Sequence, residues 1–180
     1  MALIDRFCKT DFKNYADFKE NFKINIPENF NYGYDVIDAI AEEKPNKIAM
    51  VWCNDKGDER TFTFEDIKKL SNRTANFLKA QGLKKGDFVL LTLKRHYEFW
   101  IAMIALHKMG VVAIPATHML TTKDFKYRFD MANVKAIITT GENDILDYVD
   151  EAAATAQNPV KIKILVHGKR EGYLDFDEEI

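Results

Sequence analysis

The four histidines, His96, His107, His118 and His167, come first, because imidazole is the commonest metal ligand and exchanges protons near neutral pH. No two of them stand four residues apart, the spacing that sets two ligands on one helical face, so no metal site is read from the sequence. Cys8 and Cys53 form no Cys-x-x-Cys pair, and there is no Gly-x-Ser-x-Gly elbow. That removes the signals for a zinc knot, a disulfide framework and a serine hydrolase. The eight glycines, at 33, 57, 82, 86, 110, 141, 168 and 172, make neither Gly-x-Gly-x-x-Gly nor a Walker-type loop. Gly168-Lys169-Arg170-Glu171-Gly172 lacks both the hydroxyl residue and the earlier glycine that a phosphate cradle needs. No residue is assigned a catalytic role. Two loops remain of interest, Lys94 to Glu98 and Pro115 to Thr121, because each follows a strand-like run, where function collects in α/β folds. For both, capping or loop packing is the plainer reading.

The elements that must position these loops follow from periodicity. From Gly86 on, short apolar runs (Val89 to Leu93, Val111 to Pro115, Lys135 to Thr140, Lys161 to His167) alternate with helical stretches (Tyr97 to Met109, Thr122 to Ala132, Asp144 to Ala156). Strands with so little polar alternation, joined by helices, predict a parallel sheet covered on both faces. Upstream, Ile48 to Cys53 and Arg60 to Phe64 flank a polar turn and predict a hairpin. Thr63 stands three before Asp66, a capping-box start for a helix that runs to the stop at Gly82. Asp35 to Glu43 predicts a short helix halted by Pro45. Phe12, Tyr15, Phe18 and Phe22 stripe a helix over Thr10 to Ile24, a face expected to be buried. Between Tyr97 and Leu106 only Glu98 is charged, so that helix needs a cover on its outer side, from the N-terminal segment, a second subunit or further chain. The fold class is therefore α/β, a partly parallel sheet with covering helices, preceded by an N-terminal helix and a β-hairpin.

Composition bounds the partners. The chain has 180 residues, with 26 basic and 28 acidic side chains and a formal charge of −2, which offers no general attraction to nucleic acid or anionic membrane. The longest apolar run, Phe99 to Leu106, is too short to span a bilayer. An early Asp5-Arg6 and the absence of a long apolar start speak against a secretory signal, and two isolated cysteines fit a cytoplasmic protein.

The ordered series Phe62-Thr63-Phe64-Glu65-Asp66, Gly86-Asp87-Phe88-Val89, Glu98-Phe99-Trp100, Gly110 to Pro115 and Leu120-Thr121 resembles the N-terminal portion of the adenylate-forming, AMP-forming acyl-CoA synthetases. Phe30 to Val36, Trp100 and the Thr117 loop are most similar to the medium-chain and acetyl-CoA-synthetase-like branch. The resemblance implies an acid–thiol ligase in which a short- or medium-chain carboxylic acid reacts with ATP to give an acyl-adenylate and then passes to coenzyme A, with Mg²⁺ as the further cofactor. It implies one N-terminal subdomain over residues 1–180, with an arm at 1–30, helix, hairpin and helix at 31–85, and a βα array at 86–180. It places Thr117, His118 and Met119 near the coenzyme A channel. The family's phosphate loop and catalytic lysine have no counterpart here, so the chain alone is expected to be inactive and to hold none of these cofactors tightly. Self-association through the face the rest of such an enzyme would cover is a further expectation. The rival reading is a stand-alone, non-catalytic α/β binding or adaptor module.

Overall fold

Along the run Val89-Leu90-Leu91 alternate side chains enter different cores, the mark of a strand buried on both faces. In the computed structural model, which describes residues 3–180, this run belongs to β3 (Phe88–Thr92). It pairs in parallel with β4 (Val112–Pro115) on one side and β5 (Ala136–Thr140) on the other. β6 (Ile162–Val166) and β7 (Leu174–Asp175) extend the sheet to the order β4-β3-β5-β6-β7. The crossovers are α4 (Glu98–Met109), α5 (Thr122–Ala132) and α6 (Ile145–Thr155), following α1 (Tyr15–Asn21), α2 (Ala39–Glu43) and α3 (Phe64–Ala80). A final turn of helix, α7 (Phe176–Glu179), closes the described chain. One core joins Val89, Leu91, Ala136 and Ile138 to Leu78 of α3 and Ala102 and Leu106 of α4. The other joins Leu90 and Ile137 to Phe125 and Phe129 of α5 and Val149 and Ala152 of α6. The expected parallel sheet with helices on both faces is what these two cores build, and β7 and α7 are additions that no sequence pattern announced.

The predicted hairpin forms from β1 (Ile48–Cys53) and β2 (Glu59–Thr63), antiparallel and separate from the main sheet. Thr63 caps α3 as expected: its hydroxyl accepts from Asp66 N, and the Asp66 carboxylate takes the Thr63 N–H at 2.9 Å. These two orphan donors of the helix start are thus satisfied reciprocally.

The apolar α4 finds most of its cover within the chain, although Trp100 on it stays 57% exposed. α3 and a π-helical turn, Gly33–Asp38, lie on its outer side, and Ile37, Phe62, Ile67, Ile101 and Ile104 make a third core between them. Gly33 permits the close approach: a Cβ there would stand 2.5 Å from Lys108 Cγ. The turn also delivers Asp38 to Lys108, whose ammonium is fully buried and bonded to Asp38 Oδ1 (2.7 Å), Ser71 Oγ (3.0 Å) and Asn72 Oδ1 (2.7 Å).

The aromatic stripe departs from expectation. α1 is only seven residues long and buries none of them. Phe12, Phe18 and Phe22 instead pack on one another, with centroids 5.0–6.4 Å apart, and Tyr15 is 77% exposed. The periodicity correctly reported a shared face, but the face meets its own arm rather than the body of the protein. Asn14 accepts from Asp17 N and starts the helix late, which shortens it from the expected span.

Candidate functional site

Strand order fixes where to look. β3 leads to β4 on one side while β5 lies on the other, so the connections diverge between β3 and β5, and ligands of such sheets bind outside the carboxyl ends at that divergence. A crevice of about 620 Å³ lies there. Lys94, Arg95 and His96 enter it from the loop after β3, Glu142 from the loop after β5 and His167 from the end of β6. Trp52 and the hairpin turn at Asn54 to Asp58 form its far wall, held by a bond from Trp52 Nε1 to the Arg95 carbonyl at 2.6 Å.

The two cations that the loop after β3 brings to the crevice are already matched, while Lys56 of the hairpin turn makes no ion pair among the described residues. Lys94 pairs with Glu142 at 3.2 Å and Arg95 with Asp55 at 3.7 Å. The Gly168 to Gly172 stretch is matched too, with Arg170 at 2.7 Å from both Asp147 and Asp150 and Lys169 paired to Glu178. With their charges engaged, these strand-end residues do not present the cluster of free cations that a triphosphate requires.

Deeper in, four polar groups meet. The His96 and His167 rings stack with centroids 5.6 Å apart, and His96 Nδ1 is buried without a partner among the described residues. Burial holds the His96 imidazole below its usual value, opposed by the Glu98 carboxylate. Glu98 opens α4 with a side chain only 1% exposed, and His167 Nε2 lies 2.9 Å from its Oε1. Asp177 of α7 takes the His167 backbone N–H on Oδ2 at 2.9 Å, and the same oxygen is 3.4 Å from His167 Nδ1.

Of the two loops singled out in the sequence, the structure brings Lys94 to Glu98 into this constellation. The other, at Thr117, His118 and Met119, follows the edge strand β4 at the same end of the sheet and lines no part of the crevice. Thr117 and Met119 are exposed, and Thr117 Oγ1 accepts the Met119 N–H at 3.3 Å. Sequence reasoning did not mark His167 and Asp177 as partners of Glu98. Their one local signal is His167 at a strand end just before Gly168, which meant nothing without the fold.

Residues 37–179 match the family model described as AMP-binding enzyme. The acyl-coenzyme A synthetase ACSM3, mitochondrial, of Homo sapiens is 38% identical over 175 residues, covering 93% of this chain and 29% of the relative. The acyl-coenzyme A synthetase ACSM5, mitochondrial, of Rattus norvegicus is 36% identical over 159 residues, 85% of this chain and 27% of its own length. The chain thus spans less than a third of the curated relatives it matches. Among solved structures, an anthranilate CoA ligase, AuaEII, superposes with a TM-score of 0.70 at 19% identity, over 85% of this chain and 28% of that one. A benzoate CoA ligase from Burkholderia xenovorans LB400 does so at 0.66 and 22%, over 83% and 28%. At that identity they speak for the fold.

Proposed function

The chain belongs to the AMP-binding enzyme family, and on that premise we propose that it is the N-terminal part of an AMP-forming acid–thiol ligase acting on short- or medium-chain carboxylic acids. The observation that carries the reading is the 38% identity over nearly the whole chain to an acyl-coenzyme A synthetase. In this reading the acid reacts with ATP to an acyl-adenylate with release of pyrophosphate, and the acyl group then passes to the thiol of coenzyme A. The strand-end residues of this chain do not fit a triphosphate with its Mg²⁺, because their cations are already paired. They are assigned no step in the adenylation.

What the chain contributes is a scaffold and one edge of the thiol path. Residues 1–180 act as one subdomain, and the loop of Thr117, His118 and Met119, with Thr117 and Met119 exposed, is read as lining the approach of the pantetheine arm. A thiol delivered along a narrow path gains from walls that fix its direction, since orientation alone is worth several kcal/mol of a barrier. The free cysteines fit a reducing compartment, read here as cytoplasm, although the named relatives are mitochondrial. Among the described residues no helix is long and apolar enough to cross a membrane.

The test is an assay of the full-length protein with carboxylates from acetate to octanoate, following acid-dependent pyrophosphate release. Turnover with one part of that series is expected, and Met119→Ala in the same protein is expected to raise the KM for coenzyme A while leaving adenylation unchanged. The 180-residue chain alone is expected to release none. Acid-dependent pyrophosphate from this chain by itself, or a full-length protein inert to every acid of the panel, would overturn the reading.

A further inference from the structure

We infer that the outer edge of β1 is a pairing site for β1 of a second copy of this chain, joining two hairpins into one four-stranded antiparallel sheet about a two-fold axis. The inference gives the expected self-association a surface. It does not rest on the ligase reading, since pairing needs neither ligand nor catalysis.

A strand at the edge of a sheet carries a row of unpaired N–H and C=O groups, and natural edges are blunted by shortness, charge or proline. The other edges of the two sheets are blunted in this way. β4 has four residues and ends in Pro115, β7 has two and carries Asp175, and β2 carries Glu59 and Arg60. β1 is the exception. Its six residues, Ile48-Ala49-Met50-Val51-Trp52-Cys53, include no charge, proline or glycine, and Ile48 and Val51 are 59% and 63% exposed. Among the described residues β2 is its one ladder partner.

The ladder fixes which backbone groups face outward. Asn54 N donates to the Asp58 carbonyl at 3.1 Å, and bonds to the partner recur at every second residue of an antiparallel strand. The register Trp52↔Arg60 and Met50↔Phe62 continues that series, so the N–H and C=O of Val51 and Cys53 are directed away from β2. A strand that docks here must meet those groups with an extended, uncharged stretch, and β1 of a second copy is one. Antiparallel pairing with Val51 on the axis sets Val51 against Val51 and Cys53 against Ala49, and does so reciprocally. Two β-branched side chains then stand side by side, a favourable cross-strand pair. Phe99 and Trp100 join Val51 and Cys53 in a groove of about 490 Å³ and add apolar contact for the incoming strand. A formal charge of −2 opposes self-pairing little. The hairpin, a two-stranded unit of marginal stability alone, becomes part of a four-stranded sheet.

Sedimentation equilibrium of the 180-residue chain tests the pairing. One strand pair makes a small interface, so a dimer with a Kd of about 1–100 μM is expected. Val51→Lys places a charge on the edge and should weaken the dimer at least about tenfold, while Thr61→Lys, on the β2 edge, should leave it unchanged. Both positions are exposed, so these variants keep the fold. Amide exchange at Val51 and Cys53 should slow as the chain is concentrated. With the native cysteines removed (Cys8→Ser, Cys53→Ser), Val51→Cys should cross-link into a disulfide dimer on mild oxidation, and Thr61→Cys should not. A chain monomeric up to about 1 mM, a dimer that Val51→Lys leaves intact, or cross-linking through Thr61→Cys instead, each overturns the proposal. So do Val51 and Cys53 amides protected equally at every concentration, as a strand of the same chain would protect them.

Discussion

Asp38→Ala strands the Lys108 ammonium in the core between α3 and α4. In the native chain that ammonium is fully buried and has one carboxylate and two neutral oxygens around it. Removing one member of a buried pair costs about 3–5 kcal/mol, mostly as the penalty of the charge left behind. Ser71 and Asn72 still accept from Nζ in the variant, which places the expected loss near the lower end, about 3 kcal/mol. With a urea slope of about 1–3 kcal/mol per molar, the unfolding midpoint should fall by at least about 1 M. Trp52 and Trp100 supply the fluorescence signal. The double variant Asp38→Leu/Lys108→Met removes both charges; the Ser71 hydroxyl still donates to the Lys68 carbonyl at 3.2 Å, and the Asn72 oxygen, only partly buried, is left to water. It is expected to be as stable as the native chain or more so, by up to a few kcal/mol. The pH dependence adds a signature. Burial, outweighing the attraction of Asp38, lowers the Lys108 ammonium below its ordinary 10.5. The unfolded chain then binds more protons in the window below 10.5, so native stability should rise as pH climbs towards that value, and Lys108→Met should lose that rise. An Asp38→Ala variant within about 1 kcal/mol of native, or a double variant as weak as the single one, would refute this account.

Three further outcomes follow from local features. Thr63→Ala should cost about 1 kcal/mol through loss of the α3 cap. Because the Thr63 N–H and hydroxyl hold the Asp66 carboxyl below its usual 3.8, the cap's contribution is present above that value and lost as pH falls below it, and Asp66→Asn should flatten that acid limb in urea melts. Tyr173→Phe removes a 2.9 Å bond from the phenol to Asp150 and should cost about 1–2 kcal/mol, read from the same melts. Phe18→Ser in the arm should cost less than about 1 kcal/mol, while Phe125→Ala in the sheet core should cost about 3–5 kcal/mol, a contrast that thermal unfolding would expose.

What could be read in the sequence was whatever one segment decides for itself. The Thr63–Asp66 box, the α5 bounds and the continuous apolar runs of β3 and β5 depend on neighbours a few residues away, and they appear as expected. Lys108 with Asp38, and Glu98 with His167 and Asp177, are joined across about 70 positions, and only the strand order brings them together. For the same reason α4 could be recognised as needing a cover without the cover being identifiable. The Phe12 stripe shows the converse limit, since periodicity reports that side chains share a face and is silent on what meets it. The loop after β3 was found because strand ends in a parallel sheet collect function whatever the residue types. His167 was missed because one histidine at a strand end carries no pattern.

The cover over α4 also sets a timetable for synthesis. Residues 33–80 emerge from the ribosome first, yet their core needs Ile101 and Ile104, and their turn at Asp38 needs the Lys108 ammonium. The hairpin and α3 must therefore wait, with Phe62 and Ile67 in water, until α4 has cleared the exit tunnel. At about 5–20 residues per second that interval lasts a few seconds. During it the nascent chain is a client for whatever binds exposed apolar helix, and any pause before α4 has cleared the tunnel would prolong the exposure.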